Sequence, residues 1–203
     1  MKSNICEITN DKDSLLIIMD ETEKCASYNN LDPKQARTLR LLAEELTGML
    51  PELVVFSKGR FWVENTKNRF EIHTTMDVDR RDLDYRERLL SISTSGKNAA
   101  AKGIMGKIRE MAESMADYYN AAGQLGMAPL SPLDDIGCYA SQQYAFAWSL
   151  ANYRNQVEDQ CAATGSTEEW DELERSIIAN IADDVVVGIQ GSIVHIIIRK
   201  RFG

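Results

Sequence analysis

Close-spaced cysteines are missing from this chain. Its four, Cys6, Cys25, Cys138 and Cys161, are scattered, with no C-x-x-C and no partner histidine nearby. Zinc sites need ligand pairs a few residues apart, so these read as reduced, mostly structural thiols. Long apolar runs are missing too. The longest, Ile193 to Ile198, is interrupted by His195 and falls far short of the roughly 18 residues of a membrane helix. Positive charge is in deficit: 23 Lys and Arg face 31 Asp and Glu, for a net charge of -8 and a pI near 4.9. A polyanion as main partner needs a basic footprint, and the one basic cluster, Arg199-Lys200-Arg201, reads as a solvated strand end. The first residues are followed by acids and asparagines rather than an apolar leader, so no signal peptide is expected and the cytoplasm is the expected location. What remains is ordinary globular material, 44% hydrophobic and 27% charged over 203 residues. A chain of that length can bury roughly 70% of its unfolded surface in one core.

Period and punctuation give the elements. Ile5 to Thr9 alternates as a short strand. Asp11, Asp13 and Ser14 offer N-cap chemistry for a helix through about Tyr28, and Asn29-Asn30 can take the left-handed turn that ends it. Asp32 and Pro33 open a second helix, along which Leu39, Leu42, Ala43, Leu46, Met49 and Leu50 form one stripe; Pro51 is expected to stop it. Three strands follow, Leu53 to Phe56, Arg60 to Glu64 and Arg69 to Met76, with turns at Lys58-Gly59 and Asn65 to Asn68. Phe61, Val63, Phe70, Ile72 and Thr74 alternate with polar neighbours, as in a sheet covered on one face by helices. Helical pattern returns at Leu83 to Ser93 and Ala99 to Tyr119. Ala121 to Gly137 is a loop, Tyr139 to Asp159 reads as an alanine- and aromatic-rich helix, and Ser166 with Glu169 forms a capping box for a helix to about Ile181. Strands at Asp184 to Ile189 and Ser192 to Lys200, joined at Gln190-Gly191, close the chain as a hairpin. The expectation is one α+β domain over residues 1–203, a mostly antiparallel sheet covered on one face by helices, with a loop-plus-helix insertion at 121–165.

Three groups of residues could carry chemistry. Glu44 and Gly48, four apart, share a helix face distinct from the leucine stripe. Asp77 and Asp79 stand just beyond a strand. Gly96 and Lys97, followed by Lys102 and Gly103, form a glycine-containing loop opening onto a helix N-terminus, whose free N–H groups and positive dipole end suit phosphate. It is no P-loop, because Ser91 stands where that motif needs a glycine. His73 and His195 read as packed or solvent-facing strand residues. The aromatic group Tyr139, Tyr144, Phe146, Trp148 and Tyr153 reads as core, with a partner groove or homodimer face as the alternative.

The segment Leu42-Ala43-Glu44-Glu45-Leu46-Thr47-Gly48-Met49 resembles the N box of the histidine-kinase-like ATPases, in the form seen in anti-sigma-factor serine kinases. The element order over Ile5 to Asp79 and the closing Ala182 to Phe202 pattern resemble that family as well. The resemblance implies ATP and magnesium as ligands, with Glu44 orienting or activating a water, Asp77 or Asp79 reading the adenine amino group, and Lys102-Gly103 cradling phosphate. It also implies a sigma-factor or anti-anti-sigma partner. Two departures stand against full activity. Gly48 has no ligand atom where the family places a magnesium-binding Asn, and no glycine pair follows Asp77. Three readings follow: a regulator whose nucleotide binding is weak or lost, an active protein-serine kinase, and a non-catalytic interaction module.

Overall fold

The computed structural model describes residues 1–9, 12–53, 56–78, 146–164, 176–190 and 193–203. Six strands form one antiparallel sheet in the order β1-β2-β3-β6-β5-β4. They are β1 (Cys6–Ile8), β2 (Phe56–Thr66), β3 (Arg69–Val78), β4 (Phe146–Ser149), β5 (Asp184–Gln190) and β6 (Ile193–Arg201). Four helices are described: α1 (Lys12–Tyr28), α2 (Pro33–Leu53), α3 (Leu150–Thr164) and α4 (Ile177–Ile181). None of them is long and apolar enough to cross a membrane. Cys6, Cys25 and Cys161 form no disulfide among the described residues. Burial raises the thiol pKa of Cys25 and of Cys6, with the nearby Glu21 carboxylate adding to it.

The α1–α2 corner is written in local chemistry. Asn30 takes φ 52°, and the N–H groups of Asn30 and Leu31 reach back to the carbonyls of Ser27 and Ala26 at 3.0 and 3.1 Å. This is the Schellman arrangement, with asparagine at the left-handed position. Asp32 then caps α2: its carboxylate accepts from the N–H groups of Lys34 and Gln35 at 2.8 and 2.9 Å. The Gln35 side-chain oxygen accepts from the Asp32 N–H at 3.2 Å, completing a capping box. Ser14 lies inside α1 and accepts from the Thr9 N–H at 2.9 Å, so it ties β1 to the helix rather than capping it.

All four helices pack on one face of the sheet. Leu39, Leu42, Ala43 and Leu46 of α2 are at most 1% exposed. They share one core with Ile18 of α1, Leu150 and Val157 of α3, Ile178 of α4, and the sheet residues Phe61, Val63, Phe70, Ile72, Val187, Ile196 and Ile198. The alternation expected along β2 and β3 is therefore the observed one, with Trp62, Glu64, Glu71 and His73 on the opposite face. In the centre of the sheet that second face is also buried. Val186 is 2% and Ile197 9% exposed, which explains why Val185 to Val187 of β5 and Ile196 to Ile198 of β6 are apolar on both faces.

Four expectations are corrected. Pro51 does not stop α2, which runs on to Leu53; a proline removes one helical hydrogen bond, and so near the end the loss is confined to the last turn. Leu53 thus belongs to the helix, and the strands expected at 53–56 and 60–64 become the single β2. Lys58-Gly59 is no turn. The register of β2 on β3 shifts between Phe56 and Lys58, and Gly59 pairs with both Ile8 and Met76, as a strand glycine beside a bulge does. Within the expected Tyr139 to Asp159 helix, Phe146 to Ser149 is instead strand β4, paired with β5. There Ser149 ends the strand and caps α3, its Oγ accepting from the Asn152 N–H at 3.2 Å. The cap of α4 is Ser176, whose Oγ accepts from the Ala179 N–H at 3.2 Å; Ser166 and Glu169 lie outside the described residues, as do the helices expected at 83–93 and 99–119 and the loop at 121–137.

The fully buried stripe of α2 predicts that Leu42→Ala lowers unfolding free energy by about 2–5 kcal/mol, the range for a core leucine. Leu16→Ala on α1, where the side chain is 70% exposed, should change it by less than about 0.5 kcal/mol. Urea unfolding of the two variants checks the pair.

Candidate functional site

The helix face singled out by sequence is open. Glu44 and Gly48 both lie on the exposed side of α2, and a Cβ added at Gly48 would meet nothing within 4 Å. A mid-helix glycine often marks a close approach of another backbone; no described residue makes such an approach here. Asp77, near the end of β3, is likewise exposed. The side chains of Glu44 and Asp77 make no hydrogen bond or ion pair with each other or with another described residue. Asp79, Gly96, Lys97, Lys102 and Gly103 lie outside the described residues. Magnesium takes near-octahedral oxygen ligation, and Gly48 brings no side-chain oxygen to the place where the resemblance puts a ligand. The residues present on α2 therefore do not fit that ion.

A second constellation sits on the sheet face away from the helices, and sequence reasoning missed it. Strand register sets it out in rows. Glu64, Glu71, Arg199 and Asp184 stand side by side across β2, β3, β6 and β5, and Lys2 bridges to Glu64 from the β1 side. In the next row Trp62 faces His73, and one row further His195 pairs with Thr75, diagonal to His73. Two carboxylates directly opposite one another repel, so Glu64 and Glu71 need cations. Lys2 Nζ lies 3.1 Å from Glu64, while Arg199 Nε and Arg69 lie 3.2 and 3.5 Å from Glu71. Arg199 also reaches Asp184 at 3.4 Å, which in turn accepts from the Ala151 N–H at the start of α3 at 3.0 Å. The triplet Arg199-Lys200-Arg201 is thus more than a solvated strand end. Lys200 pairs with Asp183 at 3.0 Å as well.

The histidines form the inner part of this constellation. His73 Nδ1 and His195 Nε2 are 3.1 Å apart, so one nitrogen donates and the other offers a lone pair. His73 Nε2 lies 3.5 Å from Glu71 Oε2 and makes no hydrogen bond, although the residue is only 7% exposed. The Trp62 indole stacks on His73 with centroids 4.9 Å apart and planes within 4°. Its Nε1–H donates to Glu64 at 2.8 Å, and Lys2 sits over its ring at 4.5 Å. Burial, reinforced by the neighbouring His73, pushes the His195 pKa down to about 4, so that imidazole is neutral near pH 7. The contact with His73, opposed by burial and helped by Arg199 and Arg69, holds Glu71 at about 2. Burial raises the Glu64 pKa, but hydrogen bonds from Lys2 and Trp62 outweigh it and the net shift is downward. Glu64, Glu71 and His73 each offer a ligand atom, all within 4.8 Å of one another. The sequence held one signal for this cluster: residues 71, 73 and 75 alternate onto one strand face, as do 193, 195, 197 and 199. The register that brings the two sets together is a long-range property.

Comparison with protein-family models, with curated proteins and with solved structures returned no match.

Acid should weaken the fold in two stages. Between 6.5 and about 4 the unfolded chain takes up a proton at His195 that the folded chain refuses, so stability falls as pH drops through that window. Glu71, ionised down to about 2 in the fold and to about 4.5 in the unfolded chain, extends the loss below 4.5. Urea midpoints at pH 7, 5.5 and 4 should decrease in order, and His195→Gln should flatten the upper stage. An unchanged midpoint from pH 7 to 4 would contradict a buried neutral His195.

Proposed function

We infer that this chain is a regulatory protein built on the ATP-binding sandwich of the anti-sigma-factor serine kinases, with nucleotide held weakly or no longer held. The observation that carries the reading is the placement of α2. Its leucine stripe is sealed against an antiparallel sheet, while the Glu44–Gly48 side stays open, the side on which the resembling N box would meet nucleotide. The order β1, α1, α2, β2, β3 and the closing β5–β6 pair supports the same reading. On it, regulation works by capturing a protein partner of the sigma-factor or anti-anti-sigma class. The Glu44 carboxylate could polarise a water or hydroxyl, but charge on a transferring phosphoryl group needs a cation to neutralise it. Gly48 supplies no anchor for one.

Isothermal titration with ATP and ADP, with and without magnesium, tests this. Weak or absent heat that magnesium leaves unchanged is expected. Tight, magnesium-dependent binding, with slow hydrolysis lost in Glu44→Gln, would replace our reading by that of an active kinase. Gly48→Ala adds a variant with a separate stability readout. With open space around it, it should raise unfolding free energy by about 0.5–1 kcal/mol through helix propensity, and any residual nucleotide affinity should fall if that open face is the one nucleotide uses.

A further inference from the structure

We propose that Glu64, Glu71 and His73 form a binding site for a zinc-class divalent cation on the sheet face away from the helices. Two independent observations carry it. First, the three side chains bring ligand atoms within 4.8 Å of one another from two adjacent strands. Second, His73 Nε2 is buried, faces Glu71 and has no hydrogen bond. Its one neighbour is that carboxylate at 3.5 Å, too far for a well-formed hydrogen bond, and a buried ring nitrogen left so poorly satisfied is a cost the fold would ordinarily remove. A metal ion satisfies it through the lone pair.

The surroundings suit the ion. In the tautomer that a bound ion selects, His73 Nδ1–H donates to His195 Nε2 at 3.1 Å, which frees the Nε2 lone pair for the ion. A metal-bound histidine commonly has this support, its second nitrogen donating to a fixed acceptor. Imidazole with two carboxylates matches zinc rather than magnesium, which prefers oxygen alone. Tetrahedral zinc with ligand bonds of about 2.0–2.2 Å holds its ligand atoms roughly 3.4 Å apart, so the carboxylates must close in by side-chain rotation. Glu64, whose side chain is 37% exposed, has room for that and leaves the fourth position open to water.

The cations now on these carboxylates do not block the site. Lys2 and Arg69 have side chains 47% and 50% exposed and can swing into solvent; the exposed Lys2–Glu64 pair is worth about 0–1 kcal/mol, and Glu71 keeps Arg199 at 3.2 Å when Arg69 leaves. Arg199 keeps Asp184. With Lys2 and Arg69 gone, three carboxylates face one guanidinium, and the two negative charges left over are those a dication neutralises.

The test uses the full chain, reduced and free of nucleotide, so its outcome is separate from that of the regulatory reading. Zinc titrated by calorimetry should bind one equivalent. Cobalt should give the spectrum of nitrogen and oxygen ligation without thiolate charge transfer, and should quench fluorescence that Trp62→Phe removes. Glu64→Gln, at a half-exposed position that leaves the fold intact by circular dichroism, should abolish uptake, as should His73→Asn. His195→Gln should weaken it about 10–100-fold, the range for a supporting partner. Lys2→Ala should tighten it, because a competing cation is gone. Absence of one-equivalent binding, a thiolate spectrum, or uptake that persists in folded Glu64→Gln would each overturn the proposal.

Discussion

The seal between the α2 stripe and the inner face of the sheet is the contact on which the other features rest. Leu39, Leu42 and Leu46 come at helical spacing, Phe61, Val63, Phe70 and Ile72 at strand spacing, and together they make one buried surface. Once α2 is fixed along that line, its rotation is fixed as well. Glu44 and Gly48 must then face outward. The short link through Asn30 and Asp32 sets where α2 begins, and the hydrogen bonds of Asn4 to the buried Glu21 hold α1 to the start of the chain at 3.0 Å.

The same pleat that buries one face on the helices gathers charge on the other. Alternation sends Glu64 and Glu71 to positions where they oppose one another, and the sheet answers with cations from three places: Lys2 beside β1, Arg69 on β3 and Arg199 on β6. His73 and His195 occupy the next rows, where burial keeps His195 neutral. A row of ionised groups and, beside it, two buried imidazoles on successive rows are therefore consequences of one register. Helical core and polar cluster lie on opposite sides of a single sheet, so chemistry at one need not disturb packing at the other.

Much of the helical layer was legible in the residues because its signals are local. The Asn30 turn, the Asp32 cap, the leucine stripe and the alternation of residues 61–74 each lie within a few positions of their partners. Misreadings arose where local signals conflict. Phe146 to Ser149 carries aromatics and alanine, which suit a helix as well as a strand, and only pairing with β5 decides for the strand. Lys58-Gly59 has turn composition, yet β2 passes through it with a bulge. The histidine pair was beyond sequence reasoning because its members are 122 positions apart, and their meeting depends on the β3–β6 register. Of the residues expected to meet nucleotide, Glu44, Gly48 and Asp77 are described and exposed, and no side-chain contact links Asp77 to the Glu44–Gly48 face.

That β3–β6 ladder also has a kinetic side. β2 and β3 are joined by a tight turn through Lys67, which takes φ 61°, and can pair early. β3 cannot gain its other neighbour until a strand more than a hundred residues later has been made and brought back. Ladders closed over such distances slow folding more than they weaken the folded state. The entropy of closing a loop grows only with the logarithm of its length, about 0.6 kcal/mol for each doubling. Pairing β3 with β6 therefore sets the pace at which the sheet closes, while the long interval it spans adds little to what the finished ladder costs.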